Sequence, residues 1–285
     1  MMFKGGRIVD TLIGFREVDP HPKMPGLRPE YKEGVHPHAY MFNDIPEELA
    51  PDADPAISID ETLRKMDQFG IEWGVVSMTA RATPEALRRH PDRFIGTLGV
   101  DGNNGMDAVR AIVAAHEEHG IRGVTIFPAG SFPPIAINHK LWYPIYAKCV
   151  ELDLPVFIAV GVPGPRLKMM PQYVGWLDEV CFDFPELKII MRHGGEPWAD
   201  LAVKLMLKWP NLYYSTSGFA PKYIPQEIID YANSRGAGKV LHAGYFPFGI
   251  ELERTFAELE KVPFKDAVWP QYLGGTARKL FKLPE

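Results

Sequence analysis

The sequence predicts an α/β protein with a (β/α)8 TIM barrel and a long loop after the first strand. Three observations support this fold class: eight short β-branched runs, longer helical patterns between them, and 285 residues with 46% hydrophobic content, enough for one large core. Parallel strands need crossover connections, and the intervening helical patterns supply them. An open doubly wound sheet is the alternative, but no GxGxxG motif follows the first strand.

The predicted strands occupy residues 7–12, 72–77, 95–100, 123–127, 155–160, 188–192, 212–215 and 239–243. Several of them lack polar alternation, as expected for strands that are buried on both faces. Helical patterns span residues 59–69, 106–119, 139–151, 198–209 and 225–234. Because the chain length is typical of one barrel, we predict a single domain over residues 1–285.

A long segment, residues 14–58, interrupts the alternation after the first strand. It is rich in Pro, His and acidic residues, and loops of this length inside a compact domain are usually lids or dimer arms. It contains His21, His36 and His38, which are either solvated loop histidines or the ligands of a relocated metal site. The sequence leaves both interpretations open.

Composition and charge narrow the possible partners. A net charge of −5 and a pI near 6.0, without a cluster of Lys and Arg, argue against nucleic acid and anionic membranes. The two cysteines, Cys149 and Cys181, form neither a disulfide framework nor a CxxC metal pair. The N-terminus has no apolar signal region, and no apolar run approaches the ~20 residues of a membrane-spanning helix. We therefore expect a cytoplasmic protein.

Several segments carry a family resemblance, in the same order along nearly the whole chain. They are HPDRFIGTLGVDG, LWYPIYAKCVELDLPVFIAVG, KIIMRHGGEPW, WPNLYYSTSG, GAGKVLHAGYFPFG and YLGGTARKLFKL. In these segments the chain resembles the aminocarboxymuconate-semialdehyde decarboxylase branch of the amidohydrolase superfamily. The resemblance implies a TIM barrel and a homodimer that pairs through the long first loop. It leaves the reaction open, because that branch includes decarboxylases, hydratases and hydrolases of carboxylated compounds.

The resemblance also implies metal ligands at four positions near strand ends, and this chain departs from the pattern at all of them. In IVDTLIGF the aspartate Asp10 is present, but Leu12 and Gly14 stand where the family has histidines. Ala159 and Tyr245 occupy the ligand positions of the fifth and eighth strands. Apolar side chains offer no donor atom, and a neutral phenol is a poor ligand for a divalent ion. We therefore predict a protein without a metal or other cofactor.

Two residues are the predicted catalytic groups. The resemblance makes His193, at the end of the sixth strand, the acid/base group. Tyr245 either donates a hydrogen bond or a proton, or merely fills the vacated metal position. Because alternate side chains of a strand point in opposite directions, we expect Arg192 to pair outside the barrel.

Other side chains are candidates for binding the substrate. Arg81 after the second strand and Arg166 after the fifth could clamp an anion, although loop arginines are usually solvated. His242 could point into the barrel or toward the helices. Ser215 is a weaker candidate at a strand end, and Phe127 could line an apolar pocket for a ring.

These observations predict a metal-independent lyase of the decarboxylase type, acting on a carboxylated aromatic or cyclic small molecule. Proton transfer needs only a placed acid, a placed base and an anion clamp, whereas hydrolysis of an unactivated amide is difficult without a metal. A metal-free hydrolase of a lactone or activated ester is one alternative. A non-catalytic barrel that acts as a partner subunit or ligand-binding protein is the other, but it explains His193 less well.

Overall fold

The computed structural model describes residues 7–16, 24–34 and 54–284. Eight parallel strands follow one another around a curled sheet in the order β1 to β8, which confirms the predicted TIM-barrel fold. The strands are β1 Ile8–Asp10, β2 Ile71–Ser77, β3 Phe94–Val100, β4 Val124–Ile126, β5 Val156–Ala159, β6 Ile189–Arg192, β7 Leu212–Ser215 and β8 Val240–Leu241.

Backbone hydrogen bonds beyond the strand ends join the first and last strands. The Thr11 N–H donates to the His242 carbonyl at 3.0 Å, and the Tyr245 N–H donates to the Leu12 carbonyl at 3.0 Å. The predicted first and eighth strands are longer than the observed ones, because these residues pair through irregular backbone rather than a regular ladder.

The crossover helices lie outside the sheet, as the alternating pattern predicts. Their bounds are α1 Pro55–Phe69, α2 Thr83–Arg89, α3 Met106–His119, α4 Tyr143–Glu151, α5 Leu177–Asp183, α6 Ala199–Lys208 and α7 Gln226–Tyr231. Helices α8 Leu252–Leu259 and α9 Thr276–Phe281 follow β8. Within the described ranges, every helix is too short or too polar to cross a lipid bilayer.

Helix α1 begins four residues before the predicted start at Ile59. The Asp54 side chain accepts a hydrogen bond from the Ala56 N–H, and Pro55 stands at the first helical position, so both residues favour an early start. Gly70 ends the helix in the left-handed conformation that glycine adopts without strain. Of the preceding loop, the described part includes a 3-10 helix, Pro29–Gly34, whereas His21, His36 and His38 lie outside the described residues.

Each strand contributes to two apolar layers. One layer fills the barrel and includes Val9, Ile95, Phe157, Ile190 and Leu241. The other separates the strands from the helices. Helix α9 closes the amino-terminal end of the barrel, where the Phe281 ring stacks on Phe157 with centroids 6.1 Å apart. The functional site is expected at the opposite end of the barrel, where the carboxyl ends of the strands lie, as in other TIM barrels.

Candidate active site

The alternation within β6 and β7 determines which polar side chains enter the barrel. Ile190 packs in the inner core, so Arg192, two residues later, faces the interior as well. Ser215 faces inward on β7, and its Oγ lies 3.1 Å from Oγ1 of Thr11. Ser215 and Thr11 are fully buried. These side chains form a polar layer above the apolar filling of the barrel.

Arg192 lies inside the barrel wall, and the prediction that it pairs outside is wrong. Its Nη2 donates to the Thr11 carbonyl at 3.0 Å, and its Cζ lies 4.2 Å from the Phe157 ring centroid. The side chain is 5% exposed. Burial lowers the pKa of Arg192 to about 9, while Tyr245 and Asp10 act in the opposite direction. The guanidinium therefore stays charged at neutral pH.

His193 and Tyr245, the two predicted catalytic residues, meet at the carboxyl end of the barrel. Their rings contact edge to face, with centroids 5.8 Å apart and planes at 80°. Both residues have left-handed backbone, with φ of 65° at His193 and 70° at Tyr245. Residues other than glycine rarely adopt this backbone conformation, and backbone strain of this kind is concentrated at functional sites. The turn is held by Ser217, whose Oγ accepts the His193 N–H at 3.2 Å.

The electrostatic environment keeps both catalytic candidates neutral. The pKa of His193 is lowered to about 3, mainly by burial and secondly by the positive charge of Arg192. A hydrogen bond with the Ser217 backbone opposes the shift. Burial raises the pKa of Tyr245 to about 12, with Arg192 acting in the opposite direction. At neutral pH the pair therefore offers an imidazole that can accept a proton and a phenol that can donate a hydrogen bond.

His242 lies behind the barrel wall, in the layer between strands and helices. Its ring packs between Phe256 and Tyr272, with centroids 5.9 and 5.5 Å away, and the residue is 1% exposed. Its Nε2 is 4.0 Å from Oδ2 of Asp10, and neither atom has a hydrogen-bond partner. This position does not fit the prediction that His242 binds substrate.

Asp10 supports the backbone at the same place. Its Oδ1 accepts hydrogen bonds from the Leu12 N–H at 3.0 Å and from the Gly244 N–H at 2.8 Å. Burial raises the pKa of Asp10 to about 7, while these two hydrogen bonds and the charge of Arg192 oppose the shift. Asp10 thus links the ends of β1 and β8 beneath the Tyr245 turn.

The remaining predicted binding residues lie at different depths. Ser215 belongs to the polar layer beside Arg192, and Phe127 is half-buried directly after β4. Arg81 and Arg166 are exposed, and the Arg166 guanidinium lies 5.9 Å from the ring centroid of Tyr31 in the long first loop. Arg192 is therefore a buried site residue that sequence reasoning missed. Its spacing of two residues from Ile190 places both side chains on the same face of β6, but this signal is usable only once the inner face is known.

The positions where the family resemblance implies metal ligands carry Leu12, Gly14, Ala159 and Tyr245. Among the described residues, no group of three or more His, Cys, Asp or Glu side chains could hold a metal ion. At Gly14, a Cβ would come within 2.3 Å of the Phe248 ring. Leu12 and Ala159 are buried and carry no donor atoms.

A small cavity adjoins the site between the segments that follow β6 and β7. Its lining includes Glu196, Ser217, Phe219 and Tyr223. Burial raises the pKa of Glu196, and its Oε2 has no hydrogen-bond partner. The cavity places a carboxyl group close to the His193 turn, because Ser217 both lines it and supports that turn.

The barrel and its site define a protein of the TIM-barrel class whose functional groups lie at the carboxyl ends of the strands. The sequence model of the amidohydrolase family matches residues 45–283, and the chain belongs to this family.

A curated relative and two solved structures are similar to this chain. The 2-keto-4-carboxy-3-hexenedioate hydratase of Sphingobium sp. (strain NBRC 103272 / SYK-6) is 30% identical over 122 residues, which are 37% of this chain and only 36% of that protein. An uncharacterised TIM-barrel protein, Bb4693 of Bordetella bronchiseptica, has a TM-score of 0.74 at 22% identity, covering 97% of this chain and 98% of that one. The 2,6-dihydroxybenzoate decarboxylase of Rhizobium has a TM-score of 0.66 at 17% identity, covering 98% and 99%. Both structures share the fold.

Proposed function

We propose that this chain is a metal-independent lyase of the decarboxylase type that acts on a carboxylated aromatic or cyclic small molecule. The observation that carries the proposal is the contact between His193 and Tyr245 next to the buried cation Arg192. These side chains combine a proton acceptor, a hydrogen-bond donor and a positive charge at the catalytic end of a TIM barrel.

Decarboxylation needs a proton on the carbon that loses the carboxylate. The carbon–carbon bond breaks, carbon dioxide leaves, and the carbon that keeps the electron pair ends with a proton. His193 is neutral in the free protein, but a bound carboxylate raises its pKa because an opposite charge favours the imidazolium. In this scheme His193 takes a proton from solvent when the carboxylate binds and delivers it to the carbon that carbon dioxide leaves, and the Tyr245 hydroxyl donates to the developing oxyanion.

Independence from a metal is the second part of the proposal. It is supported by the donor chemistry of the residues at the family's ligand positions, where Leu12, Gly14 and Ala159 supply no ligand. A Cβ at Gly14 would come within 2.3 Å of the Phe248 ring, so an imidazole on that turn would require this ring to move. General acid/base catalysis contributes about 10² to 10⁴-fold, which is adequate for an activated substrate.

Hydration of an enone or enol acid is the second candidate. The curated relative is a hydratase, and a neutral His193 suits a base that removes a proton from water. The hydroxide adds to one carbon of the double bond, and a proton from Tyr245 or solvent adds to the other. The same three groups serve both reactions, so the substrate decides between them.

The experiment is a substrate screen on protein dialysed against a chelator. Hydroxybenzoates are assayed for released carbon dioxide, and unsaturated keto acids for loss of their conjugated absorbance. We expect turnover in one of these sets, with a His193→Asn variant slower by about 10² to 10⁴-fold. Asn is chosen because it tolerates left-handed backbone. Turnover confined to lactones or activated esters would instead establish the hydrolase alternative, and H193N activity equal to that of the parent would contradict the catalytic role.

The quaternary structure is a further proposal of the same account. We expect a homodimer that pairs through the long first loop, as the family resemblance implies. Sedimentation equilibrium tests this expectation, and a monomer would contradict it.

A further inference from the structure

Arg192 is the long cationic side chain on the inner wall at the carboxyl end of the barrel. By alternation, the inward-facing residues at or near the carboxyl ends of the strands are Thr11, Ser77, Thr97, Phe127, Ala159, Arg192, Ser215 and Ala243. The neighbours on both sides, Ala159 in β5 and Ser215 in β7, are small. A guanidinium between small neighbours can present its N–H groups to the mouth of the barrel.

The hydrogen-bonding capacity of this guanidinium is largely unused. Arginine has five N–H donors, and with the residues that the structure describes Arg192 makes one hydrogen bond, from Nη2 to the Thr11 carbonyl. Its Nε is buried without a partner. No carboxylate of the described residues forms an ion pair with it, since the nearby Asp10 is directed to His242 and to the backbone of β1 and β8. A buried cation without a counter-ion is costly unless a ligand supplies the negative charge.

The orientation of the guanidinium is determined by two contacts. One face lies against the Phe157 ring, and the Thr11 carbonyl binds Nη2. A planar fork held in this way is arranged for a carboxylate, which it can bind through two parallel hydrogen bonds. The exposed arginines Arg81 and Arg166 lack this burial, and charge-assisted bonds are weaker where water competes.

We propose that Arg192 replaces the family's metal ion as the cation of the site and binds the carboxylate of an aromatic acid substrate. This inference rests on the proposed function, because it identifies the anion clamp of the same site. It assigns the role predicted for Arg81 and Arg166 to a residue inside the barrel. It also supplies a positive charge to a site whose ligand positions, as the family resemblance implies them, include the donor-free residues Leu12, Gly14 and Ala159.

The test measures binding rather than turnover. Salicylate and its uncharged analogue salicylamide are titrated calorimetrically into the parent protein and into R192M, R192K and R122M. Arg122 is the matched control, because it also lies over an aromatic ring, that of Trp73 at 5.8 Å, but is exposed and at the amino-terminal end of β4.

We expect R192M to weaken salicylate binding by about tenfold or more, because it removes charge-assisted hydrogen bonds. R192K keeps the charge but lacks the planar fork, so its salicylate affinity should lie between those of R192M and the parent. The salicylate affinity of R122M should equal that of the parent. Salicylamide should bind the parent about tenfold more weakly than salicylate does. Equal binding of salicylate to parent and folded R192M overturns the inference, and so does equal binding of acid and amide. The amide comparison uses the parent alone, so it decides the matter even where R192M does not fold.

The two proposals fail in different ways. Salicylate binding that depends on Arg192, in a protein without turnover on any acid, contradicts the proposed function and leaves the anion site standing. If the parent turns over an acid and R192M binds salicylate as tightly as the parent does, the result contradicts the anion site alone.

Discussion

The guanidinium of Arg192 lies 4.2 Å from the ring centroid of Phe157, inside the wall of the barrel. A cation over an aromatic face gains electrostatic attraction, which is larger when water is excluded. Phe157 is itself fixed by stacking on Phe281 of the closing helix. The positive charge of the site is therefore placed by the strands, whereas the cations predicted from loops remain at the surface.

The buried charge of Arg192 is expected to lower the free energy of unfolding. In R192M the desolvation of an unpaired guanidinium disappears, while a side chain of similar length still packs on Phe157. We expect R192M to be more stable by roughly 1 to 3 kcal/mol, as for other functional charges in buried positions. Urea unfolding of R192M, with R122M as the control, measures this difference. A clear loss of stability in R192M would indicate that Arg192 holds the barrel together instead.

The second prediction concerns the titration of His193. Its pKa of about 3 has burial as the main cause and the charge of Arg192 as the second. Removing the positive charge in R192M favours the protonated imidazole, so we expect the His193 pKa to rise by roughly one unit while burial keeps it below the usual value. NMR titration reports this shift, with the H193N spectrum identifying the resonance among nine histidines. An unchanged pKa in R192M would show that the two groups are not electrostatically coupled.

Saturating salicylate supplies the third prediction. If the carboxylate lies beside the imidazole, it favours the charged form, and the His193 pKa in the parent protein rises on binding. The expected companion is proton uptake during calorimetric titration, visible as a dependence of the heat on the buffer. Binding without a shift and without proton uptake would place the anion away from His193.

The fourth prediction separates the two interpretations of Tyr245. Y245F keeps the ring that contacts His193 and the Phe248 ring, 5.6 Å away, but removes the hydroxyl. We expect kcat to fall by about 10² to 10³-fold with little change in stability, as for the loss of an oxyanion donor. Y143F is the control, because it also removes a hydroxyl, one that donates to Asp183 between helices α4 and α5. Full activity in Y245F would mean that the residue only fills space.

The fifth prediction uses the buried carboxyl of Asp10. Its folded pKa of about 7 lies above its ordinary value of 3.8, so the folded protein binds this proton more tightly than the unfolded chain does. The contribution of Asp10 to stability is therefore greatest below the ordinary value and falls as the pH rises through about 7. D10N keeps the acceptor for the Leu12 and Gly244 N–H groups but carries no charge. We expect the free energy of unfolding of D10N to increase relative to that of the parent as the pH rises from about 5 to about 8.

The control for D10N is internal. His193 and His242 are present in both proteins, so the difference in unfolding free energy between them reports Asp10 together with its interactions with His242 and Arg192. A stability difference that does not depend on pH would show that Asp10 is already ionised in the folded protein throughout this range.

The strands and the class of fold were predictable because their signals are local. β-branched runs such as 188–192 and the length of the helical patterns depend on neighbouring residues only. The family resemblance then located His193 and Tyr245, which the structure brings into contact.

The direction of Arg192 was not predictable for a physical reason. Ile189, Ile190 and Met191 are all apolar and all buried, so the sequence of β6 does not show which face lines the barrel. Simple alternation also assumes regular backbone through the next residue, yet His193 has a φ of 65°. This turn keeps His193 at the mouth although Arg192 points into the interior. For His242, the same ambiguity left two directions open, and the contacts with Phe256 and Tyr272 decided between them.

Metal content and turnover after exhaustive chelation, both measured on protein purified without nickel, decide whether the chain works without a metal. We expect less than about a tenth of an equivalent of any transition metal, with turnover of the substrate acid unchanged by the chelator. A stoichiometric metal whose removal abolishes turnover and whose return restores it would contradict the account. It would also direct attention to His21, His36 and His38 of the first loop as its ligands.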